Sequence, residues 1–349
     1  MTKPDQPGQE PAAADPSAAG PSVPDPSASG PHIPPVGVVG LGDIGGGVAG
    51  ALLAAGVDLT VCDVRAEATG PFAGEARVAA TPAGLAAYAG VVVVAVVNDE
   101  QVRSVVDGPD GLLAGFAATG GAGDGGDGAG PSIVVVSTIT TATVRELAAK
   151  AAAAGASVVD CGVSGGPGAA ADGQLVCMVG GAPEAVDRVR PVLDVIGSEV
   201  LHMGPLGAGL SAKLARNVVQ YGSWLAAYEA QVLAEAAGID LAQLATAIRS
   251  SDRRIGGAAT LMFRPTVAPL RPDVPTDAGL IGPMRAAAAL AHKDLRAALG
   301  LADTLGVPMP LAHLTDTFTD AIFGVGQTPS SVTAGVGQTP SGETAGVRR

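Results

Sequence analysis

Three stretches of this chain carry chemistry-bearing residues against an Ala-, Gly- and Val-rich background. The first is Gly204-Pro205-Leu206-Gly207-Ala208-Gly209-Leu210-Ser211-Ala212-Lys213-Leu214-Ala215-Arg216-Asn217. Lys213 and Asn217 are i and i+4, so on a helix they share one face, and Gln220 and Trp224 continue that stripe. A buried ammonium is unfavourable unless paired or used. In a cleft, that pair could carry a proton to or from a substrate oxygen; taken alone, the stripe is equally compatible with a solvated face. The second stretch is Asp160-Cys161-Gly162-Val163-Ser164-Gly165-Gly166, at the end of an apolar run. Its Ser-Gly-Gly turn could offer a hydroxyl and backbone N–H groups to a carboxylate, because glycines allow close approach. On its own it is also an ordinary turn.

The third stretch has the most specific spacing. Val36 to Val39 reads as a buried strand, and Gly40-Leu41-Gly42-Asp43-Ile44-Gly45 then opens an Ala-rich helix that Gly56 stops. A second apolar run, Leu59 to Cys62, ends at Asp63, 23 residues past Gly40. A G-x-G-x-x-G turn between strand and helix, with an acid at that distance, is the dinucleotide-binding fingerprint. Gly40 permits the tight turn, Gly42 lets the backbone approach a pyrophosphate, and Gly45 lets helix and strand pack closely. The N–H groups at the helix start attract phosphate, and Asp63 can accept from the adenosine ribose hydroxyls. Asp63 would repel a 2′-phosphate, which favours NAD. Two residues on, past Val64, Arg65 could pair with that phosphate, which leaves NADP open.

These stretches need a scaffold. Val91 to Val97 has the pattern of a central parallel strand covered on both faces. Strands over Ile133–Ser137, Ser157–Asp160 and Leu175–Val179 alternate with helices from Asp99, over Ala142–Ala154 and over Pro183–Ile196. Repeated units of this kind predict an α/β fold, a doubly wound sheet with right-handed crossovers. Ligands then bind at the carboxyl ends of the strands, which places Val97, Ser137-Thr138 and the residues after Asp160 near one another. From about Gly204 the pattern is helical only. Ala208 to Ala236 lacks proline and predicts one helix of ~43 Å. Further helices are expected at Leu241–Arg249, Met284–Leu305 and Pro310–Ile322, with an irregular proline-rich loop over Arg264–Pro283. The expected organisation is a tail over residues 1–34, a nucleotide-binding domain over 35–203 with a flexible Gly/Asp loop at 120–130, an all-helical domain over 204–323 joined through the long helix, and a low-complexity tail over 324–349. In the last of these, Gly324 to Ser330 recurs as Gly335 to Ser341.

Composition narrows the function classes. A net charge of −13 over 349 residues argues against nucleic acid and anionic membranes as partners. Three cysteines without metal-ligand spacing, and four scattered histidines, suggest no metal site and fit a reducing compartment. No apolar run reaches the ~18 residues of a membrane span, and no apolar signal core opens the chain. A cytoplasmic protein is expected.

Taken in order, the Gly40–Gly45 turn, the Asp160–Gly166 stretch, the Gly-x-Gly-x-x-x-Lys-x-x-x-Asn run and His292-Lys293-Asp294-Leu295 resemble the β-hydroxyacid dehydrogenase family, of which 3-hydroxyisobutyrate dehydrogenase is the best-known type. The resemblance spans about residues 36 to 320 and implies a Rossmann-type domain followed by a helical domain on a long helix. It implies that Lys213 is the catalytic lysine and Asn217 its partner amide. It also implies that Ser164, Gly165 and Gly166 cradle the substrate carboxylate. Val96, Val97, Gln101 and Thr138 fall where the family lines the nicotinamide-ribose side, Thr138 facing the substrate as well, and Lys293 looks like the lysine that closes over the cofactor. Three positions depart from the pattern: Cys161-Gly162 replaces Ala-Pro, and Ala51 and Val218 each replace an asparagine.

The implied reaction transfers hydride between NAD (or NADP) and a small 3-hydroxy acid, with Lys213 taking or giving the hydroxyl proton. A lysine of ordinary pKa, ~10.4, is a weak base near neutrality, so burial or a nearby cation must lower it. In the related phosphogluconate dehydrogenases a glutamate seven residues beyond the lysine donates a proton as the acid after decarboxylation. Gln220 stands there and cannot supply that proton. Imine reductases share the family fold but usually lack the lysine. A non-catalytic dinucleotide-binding module would need neither Lys213-Asn217 nor Lys293. The apolar faces of the long helix suggest a homodimer or homotetramer.

Overall fold

A computed structural model describes residues 33–119, 130–260, 262, 264 and 266–327. The N-terminal tail through residue 32, residues 120–129 of the Gly/Asp loop and the repeat beyond residue 327 lie outside the described residues. The chain divides into two compact units, one ending at Lys213 and one beginning at Leu214.

The first unit alternates strand and helix. In order it contains β1 (Val36–Val39), α1 (Asp43–Ala54), β2 (Leu59–Cys62), α2 (Ala66–Thr69), β3 (Arg77–Val78), α3 (Pro82–Ala86), β4 (Val91–Val94), α4 (Asp99–Asp107) and α5 (Leu112–Ala118). It continues with β5 (Ser132–Val135), α6 (Thr141–Ala153), β6 (Ser157–Ser164), α7 (Gly166–Ala171), β7 (Leu175–Gly180), α8 (Pro183–Ile196), β8 (Gly197–Gly204) and the first turns of α9 (Ala208–Ala236). The strands form one sheet in the order β3-β2-β1-β4-β5-β6-β7-β8. The chain turns back between β1 and β4, the crevice where open α/β sheets bind ligands. Four consecutive valines make β4, and all are buried. Their branched side chains suit a pleated strand covered on both faces. Cores lie on both sides of the sheet, with Val48, Leu52 and Leu193 on one and Leu85, Phe116 and Leu147 on the other.

The sheet departs from the all-parallel expectation at one place. β6 runs on through Ser164, so the Asp160–Gly166 stretch lies mostly within a strand, and β7 pairs with it antiparallel, Asp160 opposite Gly180. Only residues 165–174 connect the two. A parallel crossover needs roughly a dozen residues or more, so the chain turns back beside β6. β8, which the sequence pattern did not reveal, is an edge strand with exposed Glu199 and His202.

The second unit holds the rest of α9, then α10 (Leu241–Ile255), α11 (Pro275–Leu305) and α12 (Pro310–Ile322). Here the expectation of an irregular loop through Pro283 is corrected. α11 starts at Pro275, nine residues earlier than Met284, and carries Pro283 inside it. Proline at the first helical position sacrifices no hydrogen bond. The Asp277 carboxylate in the first turn accepts the Arg271 N–H at 3.0 Å. An alanine-rich stretch after Pro283 carries the helix past that proline. Leu299, Ala302, Met309 and Ala312 form a small core between α11 and α12. The buried Glu229 carboxylate of α9 accepts the N–H groups of Leu311 and Ala312 at 2.7 and 3.1 Å, satisfying the start of α12. No helix among the described residues is long and apolar enough to cross a membrane.

Candidate active site

The turn from β1 to α1 is shaped by three glycines with different reasons for being there. Gly40 has φ +90° and lies against the backbone of Ala95, where a Cβ on it would fall 2.5 Å from the Ala95 carbonyl oxygen. A Cβ on Gly45 would overlap the Gly40 carbonyl oxygen, whereas one on Gly42 would meet nothing within 4 Å. Two glycines therefore close the fold on itself, and the third keeps open the space over the helix start. Asp63, at the end of β2, accepts the Leu41 N–H at 2.7 Å and the Arg65 N–H at 2.8 Å, and pairs with the Arg65 guanidinium at 3.2 Å. Burial pushes the Asp63 carboxyl up, but the Arg65 guanidinium and the two N–H groups outweigh it and hold the group below its ordinary range.

A cavity of about 690 Å³ opens over this turn. Of the residues expected at the cofactor, Gly40, Gly42, Asp43, Asp63, Val64, Arg65, Val96, Val97 and Gln101 line it. Leu41, Ile44 and Gly45 do not. Leu41 and Ile44 pack into the core beneath the turn, and Gly45 packs against Gly40. The anion-attracting N–H groups, the open space over Gly42 and the acid at the ribose end fit a dinucleotide. Thr81, Pro82 and Ser104 also line the cavity and were not anticipated. Thr81 caps α3 by accepting the Gly84 N–H at 3.1 Å, and the Thr-Pro pair before an apolar run was the available cue.

The loop after β4 is held from two sides. Gln101 Oε1 accepts the Val97 N–H at 2.8 Å, and buried Ser137 Oγ accepts the Val96 N–H at 2.9 Å while its O–H points to Val94 O at 3.3 Å. Ser137 fixes the wall that Val96 and Val97 present, a task its sequence context did not reveal. Its neighbour Thr138 is exposed and does not line the cavity.

The other polar cluster forms where α9 meets β6. Lys213 Nζ donates to the Val163 carbonyl oxygen at 2.5 Å, one residue before Ser164. Gly165 and Gly166 have φ of +134° and +76°, a turn that residues with side chains rarely adopt. A Cβ at Gly162 would fall 2.5 Å from the Lys213 Cβ, so the glycine in place of proline there lets the helix lie against the strand. Asn217 follows one turn later on α9 and is half-buried; Gln220 Oε1 accepts from Arg216 at 2.8 Å. Lys293 is exposed on α11 and pairs with Asp294 at 3.1 Å within the second unit. The structure thus brings Ser164, Gly165, Gly166 and Lys213 together in the first unit. Asn217 and Lys293 belong to the second unit. Among the described residues no group of three or more His, Cys, Asp or Glu is arranged to hold a metal ion.

Comparison with known proteins agrees with this geometry. Residues 35–204 match the family model described as the NAD binding domain of 6-phosphogluconate dehydrogenase. The 3-hydroxyisobutyrate dehydrogenase of Pseudomonas aeruginosa is 32% identical over 277 residues, 79% of this chain and 88% of that protein. The crystal structure of a putative oxidoreductase from Mycobacterium avium superposes with a TM-score of 0.72 at 35% identity, over 84% of this chain and 99% of that one. An imine reductase variant from Myxococcus stipitatus, solved with NAD+, shares the fold at 18% identity and a TM-score of 0.63, over 87% and 95% of the two chains. The chain belongs to the β-hydroxyacid dehydrogenase family and is an oxidoreductase with a nicotinamide-nucleotide-binding domain.

Proposed function

We propose that this oxidoreductase transfers hydride between a nicotinamide cofactor and a small 3-hydroxy acid of the 3-hydroxyisobutyrate kind, or its oxo form. The observation that carries this reading is the seating of Lys213 against the Val163 carbonyl, beside the Ser164–Gly166 turn. The cofactor, held by the Gly40–Gly45 turn and the Asp63 end of the cavity, supplies the hydride acceptor or donor. The chain's own residues do the rest. Ser164, Gly165 and Gly166 receive the substrate carboxylate, with Thr138 on the substrate side. Lys213 takes the proton of the hydroxyl during oxidation, and returns it to the forming alkoxide during reduction. Asn217 orients the lysine, Val96, Val97 and Gln101 wall the nicotinamide ribose, and Lys293 closes over the cofactor. The acid at Asp63 favours NAD over NADP.

A panel of small 3-hydroxy acids, including both enantiomers of 3-hydroxyisobutyrate, assayed for NADH and NADPH formation, tests this reading. Turnover with NAD and a member of the panel, abolished by Lys213→Ala with NADH binding retained, is the expected result. Reduction of cyclic imines without oxidation of any hydroxy acid would establish the imine reductase alternative. NADH binding with no turnover of either class would leave a dinucleotide-binding module.

The same reading divides the chain into a cofactor domain over 35–203 and a helical domain over 204–323, flanked by tails. It also makes the protein a homo-oligomer. Leu214, Val218, Tyr221, Leu225 and Tyr228 are all exposed along α9 at alternating spacings of four and three, the apolar seam of a helix that packs against another helix. Sedimentation of the wild type beside Val218→Asp/Tyr221→Asp checks this: a single species of monomer mass for the wild type refutes it.

A further inference from the structure

The reading of Lys213 as the proton carrier requires that the start of α9 be seated correctly on β6. The geometry points to Asp160 as its positioning residue: the buried carboxylate on β6 fixes the start of α9 and so the register of Lys213 over the Val163 carbonyl.

Asp160 is fully buried, and its two oxygens have separate tasks. Oδ1 accepts the Gly207 N–H at 2.6 Å, and Oδ2 accepts the Leu210 N–H at 2.7 Å. Groups at a helix start have no partner within the helix, and here a side chain from a strand 47 to 50 residues away satisfies them. Leu210 and Lys213 are three residues apart on α9, hence on one face. Asp160 and Val163 are three apart on β6. Strand and helix are therefore tied at two points, the carboxylate at the helix start and the carbonyl at the lysine. A single tie would let the helix pivot about it; two define its register.

The surroundings are cut to fit this contact. Gly180, opposite Asp160 in the ladder, leaves the space its Oδ1 occupies, since a Cβ there would overlap that oxygen. A Cβ at Gly209 would overlap the Met178 carbonyl oxygen, and one at Gly162 would lie 2.7 Å from the Gly209 carbonyl oxygen. Three glycines thus bring the helix start onto the strands closely enough for a short aspartate to reach it. As a stabilising device the aspartate is poor. Burial pushes its carboxyl up, and the N–H donors of Gly207, Leu210 and Gly209 only partly oppose that. The site therefore disfavours the charged form of the group, which is consistent with a role other than stability.

Asparagine at 160 keeps the shape and one acceptor, removes the charge, and turns an N–H toward one of the two helix donors. Alanine removes both ties. Position can be read without turnover, because lysine occurs at only four places, Lys3, Lys150, Lys213 and Lys293. Competitive acylation of the full chain by acetic anhydride, read by peptide mass spectrometry, gives the reactivity of Lys213 relative to Lys150. Beside it, kcat with 3-hydroxyisobutyrate and the NADH Kd by fluorescence are measured. Asp160→Ala is expected to raise relative Lys213 labelling several-fold and to lower kcat on the order of 100-fold, the effect of a misplaced reacting group, with an unchanged NADH Kd. Asp160→Asn should fall between alanine and wild type, and it carries the test alone if the alanine variant fails to fold. Unchanged relative labelling in both variants overturns the proposal. So does a rise shared equally by Lys150 and Lys213, which marks general loosening. Should the wild type turn over no hydroxy acid, the functional reading fails while the labelling still decides whether Asp160 seats the lysine.

Discussion

The nucleotide cradle after β1 and the lysine seat against β6 lie in one sheet and are built by opposite means. The cradle is local: a turn, a helix start and an acid all fall within Gly40–Arg65, and its working surface is open space over a glycine. The seat is assembled from afar. Its ties join residues 47 to 50 apart, through a carboxylate with no exposed surface, between backbones that touch. A site made by one short segment can be read from spacing. A site made by packing cannot be read until the packing is known.

Two alanine substitutions inside the cradle should break the contrast most sharply. Gly45→Ala forces a methyl into the Gly40 carbonyl, an overpacking that typically costs about 1–3 kcal/mol. It should lower Tm and abolish NADH binding together. Gly42→Ala meets no protein atom, so Tm should hold while NADH affinity collapses. Calorimetry and fluorescence titration on both variants check this, and an equal loss of Tm in the two would show that Gly42 is structural. Gly162→Ala is the counterpart at the seat. Its methyl pushes on Lys213 and Gly209, so turnover should fall while the NADH Kd stays put, the reverse of Gly42→Ala.

A smaller effect is expected at Asp63. Removing its charge weakens the ribose contacts, and a charge-assisted hydrogen bond contributes ~1.5–3 kcal/mol. It also frees the Arg65 guanidinium that the carboxylate now holds at 3.2 Å. Asp63→Asn should raise the NADH Kd while that for NADPH changes less, so that their ratio moves toward NADPH. A ratio that stays at the wild-type value would show that Asp63 does not choose between the cofactors.

The same contrast explains what the sequence disclosed. The Gly40–Gly45 fingerprint and the acid at Asp63 were legible because the physics behind them acts within one βαβ unit. The 29 residues of α9 were legible because nothing in them interrupts a helix. The reversal of β7 was missed because strand direction depends on whether a ten-residue connector can cross the sheet, and alternation of pattern carries no such information. The early start of α11 was missed because prolines read as loop, although one sits where a helix begins and the other is tolerated inside it. Ser137, just past the end of β5, and Asp160, within β6, each take a role that only long-range partners define. Their partners are 41 and 47 residues away, so no spacing rule discloses what they bind.

The smallest effect is expected in the second unit, at a half-buried polar pair. His292 on α11 faces two carboxylates of α12, Asp316 at 2.5 Å from Nδ1 and Asp320 at 3.4 Å from Nε2, and Arg296 approaches Asp316 at 3.5 Å. The hydrogen bond to Asp316, with Asp320 assisting, raises the histidine above its ordinary 6.5, and the same bond lowers Asp316 below 3.8. For the histidine the folded state binds its proton more tightly, so its contribution is complete below the unfolded value and fades as pH climbs through the raised one. For the aspartate the folded state holds the proton less tightly, so its contribution is complete above the unfolded value and is lost in acid. The α11–α12 contact should therefore be firmest in the interval between 3.8 and 6.5. Because water still reaches the half-buried pair, screening keeps the effect modest. The measurable form is a difference in Tm between wild type and His292→Gln that is largest in that interval and shrinks toward alkaline pH, more clearly at low salt. A difference that does not vary with pH would assign His292 to packing alone.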